Sequence, residues 1–170
     1  DTVNVRHFGA VGNGIADDTV AIQSALNTGK SVYAPAGYYN ITDLIYTVAD
    51  GQRFYGDGNL QTVIQNITNN EPLFCFGNPS ITNGATEFCS LENLTLHGKS
   101  DGATLWGVFI PNAGDTSAGQ YEGMSSSVNN YYNGKTTFTR AIWTEPARGC
   151  TLRDVRIRFI YGGYALHVSA

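Results

Sequence analysis

The chain has 170 residues, of which 14% are charged, and a formal charge of −4. That length permits one domain with a real core. The acidic balance and the lack of any basic cluster argue against a nucleic-acid partner, and no apolar run reaches the roughly 18–20 residues that a membrane span needs.

Glycine is abundant, with 20 residues, and 10 Tyr and 8 Phe supply most of the aromatics. This profile suits a β-rich protein with many tight turns. No signal-peptide pattern opens the chain, and a start at Asp1 predicts a trimmed N-terminus or an internal segment. The cysteines are Cys75, Cys89 and Cys150. Their number does not make a disulfide framework, and no Cys-x-x-Cys pair suggests zinc. Buried free thiols are expected.

Val3, Val5 and Phe8 predict a brief strand, followed by a loop that Gly9, Gly12 and Gly14 allow to take unusual backbone angles. Asp17 or Asp18 is placed to cap a helix over 18–27, whose apolar side is Ala21, Ile22, Ala25 and Leu26. Gly29 is its expected stop. After that, short apolar segments alternate with turns: Val32–Ala34, Tyr39–Ile41, Phe54–Tyr55, Val63–Ile64, then 88–96, 105–110, 141–143, 150–160 and 164–168. Such a series fits a sandwich, a barrel or a solenoid.

An internal repeat favours the solenoid. Cys89-Ser-Leu91-Glu-Asn93-Leu94-Thr-Leu96 matches Cys150-Thr-Leu152-Arg-Asp154-Val155-Arg-Ile157, and Ile64-Gln-Asn66-Ile67 is a weaker third copy. Leu91 and Leu94 are three apart, so plain alternation puts them on opposite faces. A left-handed bend at Asn93, which Asn tolerates, returns both to the interior. Stacked units of this kind make a parallel β-solenoid. The spacing of Ile64 and Leu91 predicts one coil, and that of Cys89 and Cys150 two. The span 112–135 is rich in Gly, Ser, Asn and Tyr and predicts a long loop.

The opening motif of Val5, Phe8, Gly9, Ala10, Gly12, Gly14, Asp17, Asp18, Thr19, Ala21 and Ile22 resembles the start of the pectate-lyase-like superfamily of right-handed parallel β-helices. Pro35, Gly37 and Tyr39, then Gly56, Gly58, Val63 and Ile64, continue the resemblance. It is nearest the branch found in bacteriophage tailspikes and depolymerases. It implies an all-β, right-handed parallel β-helix with a short N-terminal capping α-helix. Residues 1–30 would form the strand, loop and cap, and 31–170 the coils of the N-terminal part of a longer chain. The resemblance is specific for fold and not for reaction, since the superfamily includes lyases, hydrolases, epimerases, deacetylases and adhesins.

Asp17 and Asp18 look like a catalytic pair, but a helix start explains them better. Glycoside cleavage needs two carboxyl groups about 5–5.5 or 6.5–9.5 Å apart. Glu92, Asp101 and Glu145 are the outward carboxylate candidates, although nothing in the sequence pairs them and solvated surface charge is the simpler reading of each. Trp106, Tyr131, Tyr132 and Trp143 are candidate sugar contacts, against core packing for the tryptophans and subunit contact for the tyrosine loop. Arg153, Arg156 and Arg158 alternate near the second repeat. Arg156 and Arg158 are taken as candidate contacts to acidic sugars, against a solvated face. No catalysis is assigned to His97 or His167, and no metal or cofactor is expected.

The resemblance implies a tailspike-type receptor-binding protein on the extracellular virion tail, which recognises and degrades a host surface polysaccharide. Its partners would be that polysaccharide, two further copies in a homotrimer and other tail proteins, with no nucleic acid and no membrane insertion. A non-catalytic structural or adhesive segment of a virion fibre is one alternative. A secreted polysaccharide lyase or glycoside hydrolase is the other.

Overall fold

A computed structural model describes residues 1–68, 73–78, 80, 86 and 88–98 with their side chains. From 106 onward it describes strands as backbone, together with buried Val108. The chain opens with β1 (Thr2–Asn4), β2 (Asn13–Asp17) and helix α1 (Thr19–Leu26). It then repeats a three-strand cycle. The cycles are β3 (Ser31–Ala34), β4 (Gly37–Ile41), β5 (Ile45–Tyr46); β6 (Arg53–Gly56), β7 (Thr62–Asn66), β8 (Phe74–Cys75); and β9 (Ser90–Glu92), β10 (Thr95–His97), β11 (Trp106–Ile110). Two more follow: β12 (Ser127–Asn129), β13 (Tyr132–Asn133), β14 (Arg140–Thr144); and β15 (Thr151–Arg153), β16 (Arg156–Ile157), β17 (Tyr164–Val168).

The first strands of the cycles form one parallel sheet, β1-β3-β6-β9-β12-β15. The second sheet runs β2-β4-β7-β10, and the third β5-β8-β11-β14-β17. Strands β13 and β16 pair with each other at the second place in their cycles. The chain is thus mostly strand, in parallel sheets that it visits in a fixed order.

Register makes the core. Val32, Phe54 and Leu91 align in the first sheet, Tyr39, Ile64 and Leu96 in the second, and Ile45, Phe74 and Val108 in the third. All nine are buried in one apolar cluster. Phe54 and Phe74 stack across it with centroids 5.6 Å apart. Each large side chain so buried stabilises the fold by roughly 1.5–3 kcal/mol. Cys75 and Cys89 are buried, and burial pushes the Cys89 thiol up from its ordinary value. Cys150 lies outside the described residues.

The bend at Asn93 has φ 53°, and Leu91 and Leu94 are both buried, as the repeat predicts. Leu91 and Leu152 each pair with Val128, so the longer repeat does span two coils. The weaker third copy is not a coil. Ile64 pairs with Leu96 in the second sheet, not with Leu91 in the first. Asn66 there ends a strand without a left-handed bend, and its side chain accepts the amide of Thr68 at 2.8 Å. Coil length in fact varies, from 22 residues between Val32 and Phe54 to 37 between Phe54 and Leu91. Asp154 lies outside the described residues. Inside the span 112–135, β12 continues the first sheet and β13 pairs with β16, where a loop was expected.

The N-terminus also differs from the expected single strand. Strand β1 stops at Asn4, whose side chain accepts the amide of Arg6 at 2.9 Å and opens a 3₁₀ turn over Val5–Phe8. Gly9, at φ 99°, ends that turn. The two aspartates then divide their work. Asp18 holds the N-cap position of α1 but makes no side-chain cap bond. Its buried carboxylate instead accepts the amides of Val11 at 2.7 Å and Gly12 at 3.1 Å, fixing the glycine loop. Asp17 accepts the Thr19 amide at 3.0 Å and the Thr42 hydroxyl at 2.8 Å. Ile22, Ala25 and Leu26 of α1 enter the same core as Val32 and Ile45.

Partial burial opposes ionisation of Asp17, but its bonds from Thr19 and Thr42 outweigh that and hold the carboxyl below its ordinary 3.8. A lowered folded value means that Asp17's contribution is full above the ordinary 3.8 and is lost as the pH falls from there through the folded value. Urea midpoints should therefore drop less between pH 5 and pH 3 in Asp17→Asn than in the parent, at a lower starting stability. Gly56 supplies a second check. A Cβ there would lie 2.5 Å from the Thr62 Cβ and 2.8 Å from the Asn93 carbonyl. Gly56→Ala should cost about 2–3 kcal/mol by equilibrium unfolding, because the corner cannot open without moving backbone.

Candidate functional site

The strands of the first sheet bury alternate residues. Val32, Ala34, Phe54, Gly56 and Leu91 face inward, and Ser31, Tyr33, Arg53, Tyr55, Ser90 and Glu92 are half-exposed outside. Register stacks Tyr33 on Tyr55 and Tyr55 on Glu92, with Arg53 beside Ser90. The two tyrosine rings lie 5.3 Å apart, tilted by 29°. The Arg53 guanidinium sits 4.2 Å over the Tyr55 ring. Its Nε donates to Glu92 Oε2 at 2.9 Å, and Nη2 donates to the same oxygen. Ser90 Oγ donates to the other Glu92 oxygen at 2.7 Å.

One corner of this face is held by Asp57. The Tyr33 hydroxyl donates to Asp57 Oδ1 at 2.6 Å, and the Ala36 amide to Oδ2 at 2.8 Å. These bonds hold the Asp57 carboxyl below its ordinary value, and the bond to Asp57 raises the Tyr33 phenol. The result is a flat, self-organised face of phenol, guanidinium and carboxylate. It can offer aromatic surface and paired hydrogen bonds to a polyhydroxylated ligand.

Of the candidate carboxylates, Glu92 is thus engaged by Arg53 and Ser90. The other carboxylate described on this face, Asp57, is engaged by Tyr33 and Ala36. Asp101 and Glu145 lie outside the described residues, as do Tyr131 and Arg158. The structure brings Tyr132 and Arg156 to adjacent register positions on β13 and β16. It separates the arginines, since Arg153 lies on the first sheet beside Asn129 and Arg156 does not. Trp106 and Trp143 share the third sheet, but Trp106 aligns with Arg140 and Tyr164, and Trp143 with Phe109 and His167. Trp106 is in phase with buried Val108, and Trp143 is out of phase with it. Tyr33, Arg53 and Tyr55 escaped sequence reasoning. Their signal was present in the alternation of Ser31–Ala34 and Arg53–Gly56, but the pairing of those strands was not.

Among the described residues, no three His, Cys, Asp or Glu side chains gather as metal ligands. A sequence profile of the family "Rhamnogalacturonase A/epimerase, pectate lyase-like" matches residues 2–88. The chain belongs to this pectate-lyase-like family. It is 32% identical over 109 residues to mannuronan C5-epimerase AlgE4 of Azotobacter vinelandii, a match covering 58% of this chain and 20% of the epimerase. Its fold is similar to ORF18 of Geobacillus virus E2, with TM-score 0.58 and 26% identity over 90% of this chain and 31% of the other. The enzymatically active domain of bacteriophage CBA120 tailspike protein 2 is similar in fold alone, with TM-score 0.64 and 15% identity over 94% of this chain and 24% of that domain. The pectate-lyase-like chain therefore spans a fifth or less of the first curated relatives it matches.

The Arg53–Glu92 pair is partly open, with side chains 42% and 20% exposed. Such pairs couple weakly. A double-mutant cycle with Arg53→Ala and Glu92→Ala should give a coupling of about 0.5–1 kcal/mol by urea unfolding, falling as salt rises. A much larger coupling would show the pair to be a structural necessity.

Proposed function

We propose that this pectate-lyase-like chain is the N-terminal part of a right-handed parallel β-helix on a bacteriophage tail, which binds and modifies a host surface polysaccharide. The observation that carries the reading is the match of the same coils to a mannuronan epimerase by sequence and to a viral protein by fold. The first is named for a polysaccharide it acts on, and the second is a viral protein. The tailspike domain adds support for the fold only.

In this reading, α1 closes the first coil, with Ile22, Ala25 and Leu26 over its core. The long glycan faces are built from the coils that follow. Trp143, and Tyr132 with Arg156, remain the proposed contacts on those later coils, beside Trp106, Tyr131 and Arg158. Reaction chemistry is assigned to coils after Glu92, because that carboxylate is already held by Arg53 and Ser90. Asp101 and Glu145 remain the proposed acids. Assembly as a homotrimer with other tail proteins belongs to the same proposal.

The test uses the full-length protein with mannuronan and a panel of purified bacterial capsular polysaccharides. Binding to at least one of them is expected, with new reducing ends, unsaturated uronate or inverted C5 centres as the product. Light scattering should give three chains per particle. Neither binding nor product across the panel would leave a non-catalytic fibre segment as the better reading.

A further inference from the structure

The three sheets do not present equal outer faces. In the second sheet, β7 buries Thr62, Val63, Ile64 and Asn66, leaving only Gln65 half-exposed. In the third, both residues of β8 are buried. The first sheet instead keeps alternation through β3, β6 and β9, so its outer row stays open over three successive coils. That open row is the one that carries two tyrosines, an arginine and a glutamate.

The composition of the row is not that of a bare solvated face. The stacked rings of Tyr33 and Tyr55 are half-exposed, and Arg53 is held over Tyr55 by Glu92. An exposed ion pair contributes little to stability, so the fold gains little from that arrangement. What it does achieve is order. A planar guanidinium, two carboxylate oxygens and two phenols are set at fixed positions without a ligand, and less side-chain entropy is left to lose on binding. Among the described residues, Arg53 donates only from Nε and Nη2, both to Glu92.

Register carries the row further. Asn129 and then Arg153 follow Glu92, and Ser127 and Thr151 follow Ser90. Parallel strands repeat at about 4.8 Å, so a polymer lying along the sheet meets a new set of groups on each coil. Among the described residues of the row, the charge of Arg53 is balanced by Glu92. This favours recognition through hydroxyl groups over recognition by bulk charge.

We propose that the outer face of the first sheet, from Tyr33 through Tyr55, Arg53 and Glu92, is a glycan-binding lane separate from any reacting centre. Its ligand is a polysaccharide strand running along the coils. The strand's hydroxyls bond to the Arg53–Glu92 pair, and its apolar ring edges rest against the tyrosines. The lane rests on the reading that this protein handles polysaccharide, and it adds a holding surface to that reading.

The experiment uses full-length protein with mannuronan and the capsular panel, by isothermal titration or surface immobilisation. Tyr33→Ala with Tyr55→Ala should weaken binding about tenfold, and Arg53→Ala with Glu92→Ala by a similar factor. Asp43→Asn, at the exposed turn between β4 and β5 and off the first sheet, serves as the control and should bind as the parent does. Glycan added to the parent should also protect Tyr33 and Tyr55 from hydroxyl-radical labelling, a readout that needs no variant to fold. Parent-like binding by both double variants, or unprotected tyrosines in the bound parent, overturns the lane and leaves the polysaccharide reading standing. A parent that binds nothing in the panel overturns both.

Discussion

Val32, Phe54 and Leu91 lie one above another because their strands pair parallel and in register. This constraint governs the rest of the fold. An inner residue is covered by its own row on the coils to either side and by the rows of the other two sheets. Apolar side chains must therefore recur at each coil, although the chain between them varies in length. Variation is absorbed at the corners, where backbone hydrogen bonds matter more than sequence spacing. A Thr62 hydroxyl that donates to the Ala34 carbonyl at 3.0 Å and accepts the Asp57 amide at 3.0 Å is one such corner. Gly56 is small because that corner is tight.

The same constraint makes the start of the chain special. β1 has a neighbouring strand on one side only in the described structure. Apolar cover near it comes from α1 and the 3₁₀ turn, through Val5, Ile22, Ala25 and Leu26. Joining a helix to a sheet leaves carbonyls at the helix end that need donors. Buried Gln52 answers part of that need. Its amide donates to the carbonyls of Leu26 at 2.7 Å and Lys30 at 2.8 Å, and its oxygen accepts the Val48 amide at 2.8 Å. A single side chain just before β6 thus ties the helix end to the next turn of strand.

Much of this was legible in the sequence, and the misses have physical causes. Alternating segments such as those within Ser31–Ala34 and Arg53–Gly56 announced strands, and the 3.6-residue period of Ala21–Leu26 announced α1. The bend at Asn93 was legible because two leucines three apart can share a core only if the chain turns. Strands β5 and β8 were not, since two residues carry no period. Asn66 deceived because it stands in a similar sequence, yet its side chain closes a local turn with Thr68. Asp18 was legible as a structural aspartate, but not as the clasp of the glycine loop, because that bond reaches back seven residues to Val11. The outer row of Tyr33, Arg53, Tyr55 and Glu92 needed the register of three strands. No spacing in the chain reveals that.

Register also explains why the most recognisable residues need not be the reactive ones. In a stacked coil, a carboxylate on an outer row has a neighbour on the adjacent coil about 4.8 Å away. Whether it can act as an acid or base depends on that neighbour. Glu92 has Arg53 and Ser90, so its charge is stabilised and three of its roughly four acceptor sites are filled. A general acid needs the opposite setting, where burial or a like charge favours the protonated form. In the proposed reading the motif-bearing coils supply position and grip, and a carboxylate serving as general acid stands where the row gives it no cationic partner.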